Sequence, residues 1–234
     1  EDAVLAATEG LPHFEVGPPA FSPDGSVVAV GTGVGQVKLF NPQTGEVVRA
    51  LDDEQKKLAD KKTPENLKSL TRALGSVASL AFSPDGSLLA TCGGSFGDYS
   101  RVFDSVERLD EFSTGPGRLK VWDVKTGMLK HDLVGHSHAN AVSFSPDGSL
   151  LASAGSWSND SECGTGVIIW SSQSGATFRR ITTNDNGGAH SVAFSPDSKL
   201  MAISSLQFDV DKANDAGTGA INLAHVASGV VQRR

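Results

Sequence analysis

A four-residue motif, Phe-Ser-Pro-Asp, recurs four times in this chain of 234 residues and limits its possible folds more than any other feature. The motif begins at Phe21, Phe82, Phe144 and Phe194, so successive copies are 61, 62 and 50 residues apart. Self-similarity on this scale is typical of arrays in which each repeat buries its apolar face only against its neighbours. We therefore expect a repeat protein.

Each copy of the motif is followed by two apolar runs and then a glycine. The first run covers Val27–Val30, Leu88–Thr91, Leu150–Ser153 and Leu200–Ile203. The second run covers Val37–Phe40, Leu119–Trp122, Val167–Trp170 and Ile221–Ala224. Such runs between turn residues predict strands of about five residues. With a strand at the motif and a short run after the glycine, each repeat has four predicted strands, named a to d here.

Two segments resemble the WD-repeat family. Val121-Trp122-Asp123 ends a predicted third strand with Trp-Asp, and Gly135-His136 matches the Gly-His pair before a first strand of that family. The resemblance implies an all-β fold, a β-propeller of four-stranded antiparallel blades with four WD-type repeats. The repeats would form one unit over residues 1–234, at about 18–51, 78–134, 140–182 and 190–234.

The resemblance also implies roles for structural residues. In the family, a His, a strand-b Ser or Thr, a turn Asp and the Trp form a hydrogen-bonded tetrad. His136, Ser153 and Trp170 align with three members of that tetrad in the third repeat, and no turn Asp accompanies them. Trp122 and Asp123 form the Trp-Asp pair of the second repeat. We expect these residues to stabilise the fold.

Four repeats are fewer than the family usually has, which leaves three arrangements open. The chain could be part of a larger propeller, a four-bladed ring, or one half of an eight-bladed ring closed by a homodimer. An unpaired edge blade invites a partner, and closed symmetric assemblies are common.

The extra residues of the longer repeats all fall in two kinds of connection. Segments 94–117, 157–165 and 206–218 lie between strands b and c, and segment 52–76 lies between strand d and the next strand a. In an antiparallel meander these connections lie at the same end of the blades. Insertions on one face of a repeat array often mark its binding face.

These insertions are acidic and partly aromatic. The three b–c insertions carry net charges of −3, −2 and −2, and the whole chain has a net charge of −7. Such a face favours a basic peptide or protein. The predicted aromatic anchors are Phe96, Tyr99 and Phe103, with charge complementarity from Asp98, Asp104, Glu107, Asp160 and Asp209. Alternatively, the acidic loops are only solvated and the aromatics form a small satellite core.

Segment 52–76 has the pattern of a helical insertion. Thr63-Pro64-Glu65 is a helix start, and Leu67, Leu70 and Leu74 fall on one stripe of a helix. We expect this stripe to pack on the propeller, with a partner helix or a second chain as the alternative.

The sequence favours a non-enzymatic scaffold without a cofactor or a metal. Ser83, Asp85 and their counterparts recur in every repeat, which indicates architecture and not catalysis. No nucleophile-elbow, Walker or zinc-protease motif is present. Two alternatives stay open: a propeller segment of a larger enzyme, and a calcium-dependent module using Asp209, Asp211 and Asp215.

Charge and hydropathy exclude two further classes of protein, those that bind nucleic acid and those that span a membrane with apolar segments. The net charge of −7 argues against a nucleic-acid partner, because phosphate binding needs clustered Lys and Arg. No run of 18 apolar residues predicts a membrane span. The two cysteines, Cys92 and Cys163, could pair with each other, or Cys92 could be a buried thiol.

Overall fold

The computed structural model describes residues 18–31, 37–51, 76–94, 117–158, 163–183, 188–207 and 217–233. These residues form four separate four-stranded antiparallel sheets, and the described ranges contain no helix. In every sheet the strands lie side by side in chain order. The predicted all-β architecture of four-stranded antiparallel blades is confirmed. The predicted helical insertion 52–76 falls outside the described residues except for Ser76, which begins a strand.

We name the sheets blades 1 to 4. Blade 1 contains β1 (Ala20–Phe21), β2 (Val28–Gly31), β3 (Val37–Phe40) and β4 (Val47–Leu51). Blade 2 contains β5 (Ser76–Phe82), β6 (Leu88–Gly94), β7 (Gly117–Asp123) and β8 (Leu129–His136). Blade 3 contains β9 (His138–Phe144), β10 (Leu150–Ser158), β11 (Cys163–Ser171) and β12 (Thr177–Thr182). Blade 4 contains β13 (Ala189–Phe194), β14 (Leu200–Gln207), β15 (Thr218–His225) and β16 (Val231–Arg233).

Several strands are longer than the five residues that the sequence predicts. Strands β10 and β11 have 9 residues each and stay in register up to the pair Ser158 and Cys163. Their outer halves contain Gly155, Gly164 and Gly166, which are turn residues in a sequence pattern. The hairpin nevertheless continues through them, because glycine can donate and accept ladder hydrogen bonds like any other residue.

The repeated motif forms the turn between strands a and b. In blade 1, the Ser22 hydroxyl donates to Asp24 Oδ1 over 2.6 Å, and Asp24 Oδ1 also accepts from the Ser26 amide over 3.0 Å. The same arrangement recurs at Asp85, Asp147 and Asp197. The hydrogen bonds from Ser22 and Ser26 lower the pKa of Asp24 to about 2. These carboxylates therefore hold turns, as the recurrence of the motif predicts.

Successive blades pack face to face. We call the side of a blade that points toward the next blade in the chain its forward face, and the other side its backward face. The core between blades 2 and 3 joins Leu119 and Val121 on a forward face to Ile168 and Trp170 on a backward face. Equivalent cores join blade 1 to blade 2 and blade 3 to blade 4. The apolar residues of strands b and c therefore stabilise the array between blades.

The two end faces of this array remain exposed. Ile221 on the forward face of blade 4 is 59% exposed, and Phe21 in strand a of blade 1 is 63% exposed. Among the described residues, blade 4 therefore does not pack on blade 1 as it would in a four-bladed ring.

Candidate binding face

The connections between strands b and c, and between strand d and the next strand a, all leave from one end of the blades. Gly31 pairs with Val37 at this end of blade 1, and Gln207 pairs with Thr218 at the same end of blade 4. The undescribed internal segments 32–36, 52–75, 95–116, 159–162, 184–187 and 208–216 are all attached here. We call this end the insertion end, and the end with the a–b and c–d turns the turn end.

The predicted partner-binding residues lie in these segments and therefore outside the described residues. They are Phe96, Asp98, Tyr99, Phe103, Asp104, Glu107, Asp160 and Asp209. The structure describes only the strands to which these segments are attached. The role of these residues stays a prediction.

A buried chain of hydrogen bonds lies below the insertion end, between blades 2 and 3. Trp170 Nε1 donates to Ser153 Oγ over 2.9 Å, and His136 Nε2 lies 2.9 Å from the same hydroxyl oxygen. All three residues are buried, at 3%, 0% and 2% exposure respectively. The aligned His, Ser and Trp of the third repeat are thus in direct contact.

Two further residues, Trp157 and Arg180, lie beside these hydrogen-bonded side chains. The His136 and Trp157 rings lie 5.9 Å apart, and the Arg180 guanidinium lies 5.9 Å over the Trp157 ring. Burial lowers the pKa of His136 to about 4, although its hydrogen bond to the Ser153 carbonyl opposes the shift. The imidazole is therefore neutral at pH 7, as a buried site next to a cation requires.

The depressed pKa of His136 makes stability depend on pH. Unfolding returns the pKa from about 4 to 6.5, so the unfolded chain binds more protons between these values. The contribution is complete above about pH 6.5 and is lost as the pH falls toward 4. We expect a loss of about 3 kcal/mol in the free energy of unfolding across this window. Urea denaturation at a series of pH values measures it.

A His136→Gln variant provides the comparison, because glutamine does not titrate. Its free energy of unfolding should be lower near pH 7 and should change less toward pH 4. Burial also lowers the pKa of His138, which leaves a residual slope. An unchanged slope in the variant would contradict the assignment to His136.

A similar contact exists in blade 2 and was missed by sequence reasoning. Trp122 Nε1 donates to Thr91 Oγ1 over 3.1 Å. Thr91 occupies the position in β6 that Ser153 occupies in β10, so alignment of the two b strands could have identified it. In blade 4, Ala224 replaces the Trp, and the polar pair is instead Asn222 and Ser205, joined over 3.0 Å. Asp123 accepts from the Thr126 amide over 2.7 Å and stabilises the c–d turn.

Acidic residues are distributed unevenly over the described part of the chain. Asp24, Asp85, Asp147 and Asp197 lie in a–b turns, Glu46 and Asp123 lie next to c–d turns, and Asp132 lies within β8. The described strand ends at the insertion end carry no Asp or Glu. A negative potential at the insertion end would therefore come from the three b–c insertions 94–117, 157–165 and 206–218, whose sequence charges are −3, −2 and −2.

Other candidate sites have simple structural explanations. Cys92 is a free thiol, and its burial raises its pKa to about 12, so it is unreactive near neutral pH. Among the described residues, no three His, Cys, Asp or Glu side chains are grouped as metal ligands. No helix in the described ranges could cross a bilayer.

The blades, their stacking and the Trp contacts define a β-propeller array similar to that of WD-repeat proteins. The WD domain, G-beta repeat model matches residues 65–104 and 127–163. The predicted resemblance to the WD-repeat family is confirmed.

Parts of known proteins are similar to this chain in sequence or in fold. The chain is 29% identical to Protein HIR1 of Candida albicans over 78% of its own length and 20% of that protein. It is 35% identical to the Small ribosomal subunit protein RACK1 of Neurospora crassa over 33% of its length and 22% of that protein. It thus spans about a fifth of these relatives. A chain of Kuenenia stuttgartiensis Hydrazine Synthase matches 92% of it with a TM-score of 0.61, covering 47% of that chain at 19% identity, which shows the fold alone.

Proposed function

We propose that this chain is a non-catalytic protein-interaction scaffold that binds a basic peptide or protein at its insertion end. The observation that carries the proposal is the attachment of every inserted segment to the same end of the blades. A ligand there would reach several blades at once, because the described strands that carry these segments all end on this side. The relative RACK1 is a protein of the small ribosomal subunit, which supports a scaffold role for this chain.

The distribution of charge supports a basic partner. The turn-end carboxylates of Asp24, Asp85, Asp147 and Asp197 are held by hydroxyl and amide donors in their own turns. These four carboxylates therefore stabilise the turns of the fold. The acidic residues of the insertions have no such repeated motif and are free to vary with the ligand. Acidic segments whose sequences also contain aromatic residues are suited to a Lys- or Arg-rich ligand.

Removal of residues 98–114 should abolish binding of a fluorescent oligolysine peptide. The β-sheet circular dichroism should be retained, because Gly93 and Arg118 pair directly below the deletion and residues 95–97 and 115–116 can still join β6 to β7. Fluorescence anisotropy at low salt measures the affinity, with oligoglutamate as the peptide of opposite charge. Undiminished oligolysine binding by the deletion variant would refute the proposed site.

A charge-neutralised variant separates the effect of charge from the effect of the loop. Asp98→Asn, Asp104→Asn and Glu107→Gln together should weaken oligolysine binding by about tenfold. The control is Glu46→Gln with Asp132→Asn, which removes two charges away from the insertion end and should leave affinity unchanged. An equal loss per removed charge in both variants would show that net charge alone attracts the peptide.

We further propose that two chains pair into one ring, so that the insertions of both copies form a shared face. The exposed end faces of blades 1 and 4 support this pairing. The two alternatives, a segment of a larger enzyme and a calcium-dependent module, stay predictions. Asp209, Asp211 and Asp215 of the calcium alternative lie outside the described residues.

A further inference from the structure

The forward face of blade 4 is the exposed counterpart of three buried faces. The equivalent forward positions in blades 1 to 3 are each at most 1% exposed: Ala29, Val37, Leu39, Ala90, Leu119, Val121, Ala152, Val167 and Ile169. In blade 4 these positions are Ala202 and Leu223, which are half-buried, and Ile221, which is 59% exposed. All three side chains are apolar. Apolar side chains at these positions are typical of a blade face that packs against another blade, whereas a face adapted to water would be polar.

A groove lies on the same face. Its volume is about 450 Å³, and Ser204, Leu206, Ala220 and Ile221 are among its lining residues. At the position of Ser204, blade 1 has Gly31, which lies directly against Val77 of the next blade. The groove therefore occupies the place where strand a of a following blade packs inside the array.

Blade 1 presents the complementary surface. Phe144 belongs to the core between blades 2 and 3, and Phe82 and Phe194 pack against the cores before blades 2 and 4. Each of these motif phenylalanines covers the forward face of the preceding blade. Phe21 is the same residue of the motif in blade 1, and it is 63% exposed, with no described blade packed against it.

A recurring polar contact matches the same two surfaces. Arg49 Nη1 donates to Thr126 O over 2.9 Å, and Arg179 Nη1 donates to Ser228 O over 3.3 Å. His131 Nε2 lies 3.1 Å from Gln173 O. In each case a strand-d residue reaches a carbonyl of the next blade's c–d turn. The three residues occupy the same position in strand d. Each pairs with an equivalent forward-facing residue in strand c of its own blade: Arg49 with Leu39, His131 with Val121, and Arg179 with Ile169.

Blades 4 and 1 carry the residues equivalent to the donor and the acceptor of this contact. Gln232 pairs with Leu223 in blade 4, which is the strand-d position of Arg49, His131 and Arg179. Thr44 precedes Gly45 in blade 1, as Thr126 precedes Gly127 and Ser228 precedes Gly229. Gly45 also has the positive φ of those two turn glycines, at 73°. The Gln232 amide is thus a donor in blade 4, and the Thr44 carbonyl is the matching acceptor in blade 1.

We propose that the forward face of blade 4 seats the backward face of blade 1 of a second copy, head to tail, so that two chains close one eight-bladed ring. Phe21 of each copy covers Ile221 and Leu223 of the other, and Gln232 donates to Thr44 O across each interface. A second copy is favoured because this chain itself carries both halves of an interface that it forms three times internally. The inference rests on the proposed pairing of two chains.

Light scattering behind a sizing column tests this assembly. The chain should have twice the mass of one copy, which is 24.3 kDa. Ile221→Arg and Phe21→Glu should each raise the dimer dissociation constant by at least about tenfold, because each places a charge in an apolar interface. Val134→Arg is the matched control, since Val134 is 64% exposed on the outer strand of an internal blade. Circular dichroism checks that all variants stay folded.

Mixing the two variants distinguishes head-to-tail from face-to-face pairing. Ile221→Arg and Phe21→Glu chains together should form a heterodimer, with one unaltered interface and one Arg–Glu pair. A monomeric wild-type chain at all concentrations would overturn the proposal. A dimer that is insensitive to Phe21→Glu would also overturn it, because it would show pairing by other surfaces. Oligolysine binding by the same samples reports on the proposed function separately: a monomer that binds the peptide contradicts the ring alone.

Discussion

Replacement of Trp170 by alanine should lower the free energy of unfolding by about 3–5 kcal/mol, one of the two largest effects expected in this chain. Trp170 is 3% exposed in the core between blades 2 and 3, and its ring lies over Gly135 of the preceding blade. The substitution leaves a cavity between two blades and removes the donor to Ser153 Oγ. Urea denaturation followed by circular dichroism measures the loss.

A Trp170→Phe variant separates packing from hydrogen bonding. Phenylalanine keeps most of the apolar contact but cannot donate to Ser153, so the expected loss is about 1–3 kcal/mol. Val134→Ala, at a mainly exposed position, should change stability by less than about 0.5 kcal/mol. A Trp170→Ala loss as small as that of Val134→Ala would show that the blades do not depend on this core.

Gly155→Ala should cost about 3 kcal/mol, because the added methyl group has no space. Gly155 lies at a β-bulge between β9 and β10. A Cβ atom there would overlap His138 O and press on Ala139 Cα, both of which are backbone atoms of the neighbouring strand. Backbone in a paired strand cannot move aside as a side chain can, so the strand pairing must be disturbed. Thermal and urea denaturation should both report the loss.

Gly219→Ala is the matched control for this prediction. Gly219 is also a strand glycine, but no atom lies within 4 Å of a Cβ built on it. In an Ile221→Arg background, which keeps the chain monomeric, its replacement should leave stability unchanged or raise it by about 0.5 kcal/mol, because alanine restricts the unfolded chain. This background is needed because Gly219 also lines the groove on blade 4. Equal losses at Gly155 and Gly219 would mean that strand glycines matter here for flexibility and not for close approach.

Much of the fold could be predicted from sequence because the repeat carries the same chemistry each time. The Phe-Ser-Pro-Asp motif predicted the a–b turns, and three of its four copies continue with a glycine at positive φ. In blade 4 this glycine is replaced by Ser198, which adopts a φ of 60°. The turn therefore persists without its glycine, because the Ser195 hydroxyl and Lys199 amide still donate to Asp197.

Other features carried no local signal. The extension of β10 and β11 to nine residues depends on pairing between distant segments and runs against the turn tendency of Gly164 and Gly166. The contact of Arg49 with Thr126 O joins residues 77 positions apart through a backbone carbonyl, which a sequence pattern does not show. Thr91 has a weaker signal in the sequence, because the tetrad pattern is most visible where its histidine is present, as at His136 in the third repeat.

The proposed binding residues could be selected from sequence but not placed. Phe96, Tyr99 and Phe103 were chosen for composition and for their position between strands b and c, and the topology fixes only where their segment is attached. Charge and aromatic content predict the chemistry of a ligand better than its position. The deletion and charge-neutralised variants test whether a segment chosen for its composition also binds the ligand.

The separation of the two blade ends has a consequence for how such a chain could change over generations. The Ser–Asp hydrogen bonds and the contacts from strand d to the next c–d turn lie at or toward the turn end. Mutations that lengthen, shorten or replace an insertion therefore leave the determinants of folding in place. Selection for a new ligand would act on one end of the molecule while purifying selection maintains the other, and loops from unrelated receptors could be grafted there by design.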